Sequence, residues 1–339
     1  MRRALALIAT ALLAAGCGAK SEPSGSAPGR QEPYTVVLDY FPNADHAALY
    51  AAQASGDYAR AGLDVKLQAP PDPSAPLKLL QAGRADVAIS YEPELMLARD
   101  RGATDLVSVG ALVQVPLTSI IALPKGKVHG PRDLAGKRVG TAGIPYQSAY
   151  LQTILKHAGV NPKSVKETDV GFNLVPALLG GKVDAILGGF WNYEAVDLRR
   201  RGRKPTVLRM EKLGVPTYDE LIFVVRKQTL DTAGASRLRR FLQATFAGAR
   251  RLRASPAAGV DALLKASPGL DRGLQTAAVK ATTPVFFPPK GKPFGWQDPA
   301  AWARYELWMR ANGLLKRPPT SAPPLTNEFL PGAPLDSGP

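Results

Sequence analysis

The sequence predicts an α/β fold of two lobes, with mixed sheets flanked by helices and a two-strand hinge. Three observations predict it. Short apolar strands alternate with helical segments, the alternation stops and restarts once, and uninterrupted apolar strands follow each of the two runs. Length and composition agree with this, since 339 residues, 45% apolar and 21% charged, suit a folded chain of about two domains.

The N-terminus reads as an export signal. Arg2 and Arg3 precede an apolar run from Ala4 to Ala15 that ends in Gly16-Cys17. That run is shorter than the ~20 residues a membrane-spanning helix needs. Residues 1–16 are therefore expected to be removed. Residues 17–33, rich in Ser, Gly, Pro and charge and lacking apolar periodicity, form a flexible tether. Residues 318–339 carry many prolines and are expected to be an extended tail.

Within the body, Tyr34–Tyr40 is a β-branched run and hence a strand, followed by a helix over 45–54. Leu63–Leu67 alternates as a strand, 76–81 is a short helix closed by Gly83, and Val87–Ser90 is a buried strand. A helix over 93–101 stops at Gly102. The pattern restarts with strands at 137–141, 165–170 and 183–187, each followed by a helix, at 147–158, 173–179 and 193–201. Ser119–Leu123 and Leu221–Val225 are the two apolar strands read as the hinge. Helices near 235–253, 256–265, 270–281 and 298–312 complete the first lobe. The expected partition is 34–121 plus 226–317 for lobe 1 and 122–225 for lobe 2.

The residue inventory narrows the chemistry. One cysteine, Cys17, excludes an intramolecular disulfide and a cysteine metal cluster, and His46, His129 and His157 are the only histidines. No metal site, catalytic group or cofactor is expected. There is no phosphate-binding Walker loop, Gly140–Gly143 is too short for a dinucleotide fingerprint, and no Gly-x-Ser-x-Gly elbow occurs. The net charge of +15 concentrates in Arg199–Lys204 and Arg237–Arg253. Without a nucleic-acid-binding motif these clusters read as solvated faces or as attraction to anionic lipid, with no nucleic-acid partner.

In open α/β sheets ligands sit beyond the carboxyl ends of strands. That rule selects Asp39, Tyr40, Phe41, Asn43 and His46 after the first strand, and Ser90, Tyr91 and Glu92 after the third. In the second lobe it selects Tyr146, Trp191, Asn192 and Glu194. The set is aromatic and amide-rich with a few carboxylates. Tyr40, Tyr91, Tyr146 and Trp191 can stack on a flat ring, and Glu92 or Glu194 can accept from ring donors.

Gly16-Cys17 and the apolar run before it resemble the lipobox of bacterial lipoproteins, although Ala14 stands where that family usually has leucine. The resemblance implies diacylation of Cys17 and a chain exported and anchored on the outer face of the cytoplasmic membrane. Leu38–Tyr50, Gly56–Val65, Gly83–Glu92 and Phe172–Ala185 running into Gly189–Glu194 resemble the bacterial solute-binding proteins that feed thiamine pyrimidine precursors to an ATP-driven importer. The fold this implies is a two-lobed, periplasmic-binding-protein-like fold of type II. The function it implies is capture of an aminopyrimidine-like heterocycle between closing lobes and its delivery to an ABC permease, by a monomer. The same fold could instead serve riboflavin, a sulfonate or another small organic solute. The chain also resembles the fungal enzyme that builds the thiamine pyrimidine from its own histidine and pyridoxal phosphate. That enzyme has a cysteine-rich motif late in its second lobe, whereas Leu213–Leu221 here contains no cysteine.

Overall fold

The computed structural model describes residues 31–319 and 322–332. The expected signal peptide, Cys17 and most of the tether lie outside the described residues. The strands in chain order are β1 (Glu32–Val37), β2 (Leu63–Gln68), β3 (Val87–Ser90), β4 (Leu106–Val113) and β5 (Thr118–Ala122). They continue as β6 (Arg138–Thr141), β7 (Lys166–Asp169), β8 (Ala185–Phe190), β9 (Thr206–Arg209) and β10 (Leu221–Arg226). The helices are α1 (Ala47–Ala54), α2 (Asp57–Arg60), α3 (Pro76–Gln81), α4 (Glu92–Asp100), α5 (Pro145–His157) and α6 (Leu174–Leu179). After them come α7 (Glu194–Arg200), α8 (Thr232–Ala254), α9 (Pro256–Ala266), α10 (Arg272–Thr282) and α11 (Pro299–Ala311).

Local signals set the helix starts. Asp231, Asp271 and Asp298 each accept a hydrogen bond from a backbone N–H of the first turn of α8, α10 and α11, at 2.6–3.0 Å. Proline opens α3, α5, α9 and α11, where its missing N–H costs nothing.

The strands form two five-stranded mixed sheets, ordered β2-β1-β3-β10-β4 and β7-β6-β8-β5-β9. In each, parallel strands from one α/β run are joined by an antiparallel strand that the other half of the chain reaches only after a crossing. β10 pairs antiparallel with β3 and β4, and β5 pairs antiparallel with β8 and β9. This corrects the expected partition. Thr118–Ala122 belongs to the second lobe and Leu221–Arg226 to the first, because each takes its hydrogen bonds from the sheet after the crossing. The crossings are the segments on the amino side of these strands, 114–117 and 210–220. Two further strands, β4 and β9, have no counterpart in the expected element list. The body also begins earlier than expected, with Glu32 already in β1.

Part of the expected extended tail is folded. Thr326 donates its N–H to the Ser108 carbonyl and Ser108 to that of Pro324, so this segment adds a bridge beside β4. Leu325, Phe329 and Leu330 are buried against the first lobe. Apolar side chains of a proline-rich stretch thus find a sheet edge to cover, an outcome that local composition does not reveal.

Candidate functional site

The carboxyl ends of β1, β3, β6 and β8 face one another across the lobes and line a cavity whose empty space, about 350 Å³, includes volume open to solvent. The first lobe lines it with Asp39, Tyr40, Asn43, Asp45 and Tyr91, the second with Ala142, Ile144, Tyr146, Gln147, Gly188, Phe190, Tyr193 and Glu194. Of the residues selected from the sequence, Asp39, Tyr40, Asn43, Tyr91, Tyr146 and Glu194 reach this cavity.

Asp39 is held from behind. Its Oδ1 bonds His46 Nε2 at 2.8 Å and its Oδ2 accepts from the Tyr91 hydroxyl at 2.7 Å. His46 is fully buried, and its Nδ1 accepts from the Asn43 N–H at 3.3 Å, so Nε2 carries the proton that Asp39 receives. His46 is therefore a support behind the wall, where the sequence reading places it in contact with ligand. Asn43 caps the turn that follows, accepting from the Asp45 N–H at 2.8 Å and donating to the Phe41 carbonyl at 3.1 Å.

Aromatic rings form much of the wall. Tyr91 and Tyr146 lie 5.3 Å apart between centroids, and Tyr40 packs against Phe41 and Phe172 at 4.6 and 4.7 Å. Gly188 sits at φ +102°, and a Cβ there would overlap the Gln147 amide, whose Oε1 accepts from the Ala142 N–H at 2.8 Å. Only glycine lets the β8 backbone come this close to Gln147.

Besides Asp39, two further carboxyl groups are buried in the cavity wall. Glu194 accepts from the Phe190 N–H at 2.7 Å, and burial pushes its carboxyl up to about 8. Asp45 accepts from Asn192 Nδ2 at 2.5 Å and from the Thr282 hydroxyl at 3.1 Å, both at Oδ1, while its buried Oδ2 has no partner. Burial raises the Asp45 carboxyl to about 6. Among the described residues no lysine or arginine lines the cavity.

Ser90, Glu92, Trp191 and Asn192 lie elsewhere. Ser90 is buried within the first sheet, opposite Ile222. Glu92 accepts from the Asp219 N–H at 2.7 Å and so clasps α4 to the second crossing, where burial holds it well above the usual carboxylate range. The Trp191 indole donates to the Pro116 carbonyl at 3.0 Å, with the Arg209 guanidinium 4.3 Å over its ring. Trp191 thus braces the first crossing instead of stacking on ligand. Asn192 is fully buried between Asp45 and Thr282. Glu220, just before β10, is fully buried at the second crossing. It accepts from the Leu117 and Thr118 N–H groups at 2.6 and 2.8 Å, from the Thr118 hydroxyl at 2.8 Å and from Tyr218 at 3.0 Å, tying the two crossings together.

Asp45, Gln147, Phe190 and Tyr193 line the cavity and were not selected. Asp45 looks in the sequence like an acid favoured at a helix start, and Gln147 and Tyr193 lie one residue from positions that were chosen.

The family model described as "NMT1/THI5 like" matches residues 43–258. A formylaminopyrimidine-binding protein of Halalkalibacterium halodurans is 32% identical over 85% of this chain and 87% of its own length. A 4-amino-5-hydroxymethyl-2-methylpyrimidine phosphate synthase of Legionella pneumophila is 27% identical over 74% of this chain and 79% of its own. Among solved structures, the alkanesulfonate-binding protein of Xanthomonas axonopodis pv. citri superposes with a TM-score of 0.66 at 20% identity, covering 89% of this chain and 99% of that one. The likeness in fold is to two-lobed periplasmic binding proteins, as the two crossed sheets require. With the family model spanning most of both lobes, the chain belongs to the NMT1/THI5-like family.

Proposed function

We propose that this protein is an extracytoplasmic solute-binding protein that closes its two lobes on a thiamine pyrimidine precursor and delivers it to an ABC permease. In this reading it is exported, works as a monomer, and is tethered to the outer face of the cytoplasmic membrane through a lipid on Cys17. The observation that carries the ligand assignment is the buried Glu194 carboxyl. With its ionisation raised to about 8, it holds a proton at neutral pH and offers an O–H donor beside a C=O acceptor. A 4-aminopyrimidine edge is the complement, with an amino N–H that donates and an adjacent ring nitrogen that accepts. Tyr40, Tyr91 and Tyr146 supply faces and edges for the flat ring. The naming of a formylaminopyrimidine-binding relative supports the same ligand class.

Two alternatives fit the cavity less well. A sulfonate needs cationic or N–H-rich walls, and the wall here carries carboxyls with no lysine or arginine among the described residues. A synthase of the pyridoxal phosphate type needs a lysine for the cofactor and a free histidine as reactant. Among the described residues no lysine lines the cavity, and both His46 nitrogens are committed, to Asp39 and to the Asn43 N–H. The residues present do not fit that cofactor.

A thermal-shift screen with formylaminopyrimidine, hydroxymethylpyrimidine, thiamine, riboflavin and an alkanesulfonate tests the assignment. Binding to the native state alone should raise the midpoint, by ~2.7 kcal/mol of stabilisation at a hundredfold excess over Kd. The expected result is a shift with the aminopyrimidines. A shift with riboflavin or the sulfonate only would overturn the ligand class.

A further inference from the structure

The Asp45 carboxylate has one oxygen fully used and one unused, and the two lie on different functions. Oδ1 belongs to a contact between lobes. Asn192, which follows β8 in the second lobe, inserts its side-chain amide between Asp45 and Thr282 of the first, at 2.5 and 2.6 Å, and Thr282 in turn donates to Asp45 at 3.1 Å. All three side chains are buried. The next residue extends the contact, as the Tyr193 hydroxyl accepts from Gln275 of α10 at 3.0 Å. Oδ2 is buried without a partner, on a residue that lines the cavity. A buried, unpaired carboxylate oxygen is destabilising until it receives a donor.

We propose that Asp45 couples ligand recognition to lobe closure, with Oδ1 latching Asn192 of the second lobe and Oδ2 receiving an N–H of the solute. The ligand half of this rests on the proposed function above. It adds that the solute must present two hydrogen-bonding edges, one read by Glu194 and an N–H read by Asp45. An amino-bearing heterocycle with a polar substituent meets this requirement, and an apolar ring of equal size does not. The latch half stands on the protein alone. Asn192 sits between two acceptors of the first lobe only when the lobes are closed, so the triad biases the unliganded chain toward the closed form.

Two conservative variants separate the halves. Asp45→Asn keeps an oxygen that can accept from Asn192 and Thr282 but places an amide NH2 where an acceptor is required. Its expected effect is a loss of at least tenfold in affinity for formylaminopyrimidine by calorimetry, with the unliganded radius of gyration from X-ray scattering unchanged. Asn192→Ala removes the latch, and its unliganded chain is expected to show a larger radius of gyration than the wild type. Wild-type affinity in Asp45→Asn would overturn the ligand half, and an unchanged radius in Asn192→Ala would overturn the latch. If the wild type itself binds no aminopyrimidine, the proposed function and the ligand half fall together, while the scattering comparison still decides the latch.

Discussion

At the scale of single residues, environment decides what each carboxyl can do. Glu194 and Glu92 both follow a strand and both lie in the first turn of a helix, yet one lines the cavity and the other clasps a crossing. Strand-end position is legible in the sequence, and of the residues it selects Asp39, Tyr40, Asn43, Tyr91, Tyr146 and Glu194 line the cavity. Direction was not legible, since it depends on which neighbouring segment supplies an N–H, as Asp219 does for Glu92. Asp45 was missed for a related reason, because its role needs Asn192, 147 residues away. A pH dependence follows for Glu194. Its folded-state value lies above that of an exposed glutamate, so the folded chain holds the extra proton. The resulting contribution to stability is complete below about pH 4.5 and is lost as pH rises toward 8. Glu194→Gln stays neutral throughout and can still accept from the Phe190 N–H. Relative to this variant, wild-type stability should fall by up to about 1.4 kcal/mol per pH unit across that window. Urea unfolding at pH 5, 6.5 and 8 measures this, and parallel profiles for the two proteins would refute a proton held by Glu194.

At the scale of elements, periodicity located most helices and strands, because their apolar faces repeat within a window of a few residues. It missed β4, whose Leu106–Val113 run is buried throughout and interrupted by Gly110, and β9, which lies between charged and proline-rich stretches. It also reversed the two hinge strands. Pairing partners are set by which sheet an apolar strand can bury itself in, and β5 and β10 each choose the sheet beyond the crossing. Helix packing in the first lobe provides a test of element-scale reasoning. α8 crosses α1 so closely that a Cβ on Gly248 would overlap the Ala48 carbonyl oxygen. Gly248→Ala must push the helices apart, and overpacking of this kind typically costs about 1–3 kcal/mol. Chemical denaturation should show that loss, whereas a variant as stable as the wild type would mean that α8 can slide freely over α1.

At the scale of the whole molecule, three of the contacts between the lobes differ in chemistry. Behind the cavity, Glu220 and Glu92 gather backbone N–H groups from the crossings. On one flank, Asn192 and Tyr193 dock on the first lobe. On the other, the Tyr150 and Tyr305 hydroxyls bond directly, and Tyr150 packs edge-on to Trp308 at 5.9 Å. With the lobes in contact Glu194 is buried, and that burial is what raises its carboxyl. The central claim, that a proton held by Glu194 reads an aminopyrimidine edge, is tested most directly by calorimetric titration of formylaminopyrimidine at pH 6.5 and pH 9. Wild-type affinity should fall at least tenfold at the higher pH while that of Glu194→Gln stays level. Equal affinity of the wild type at both pH values, or the same fall in both proteins, would contradict it.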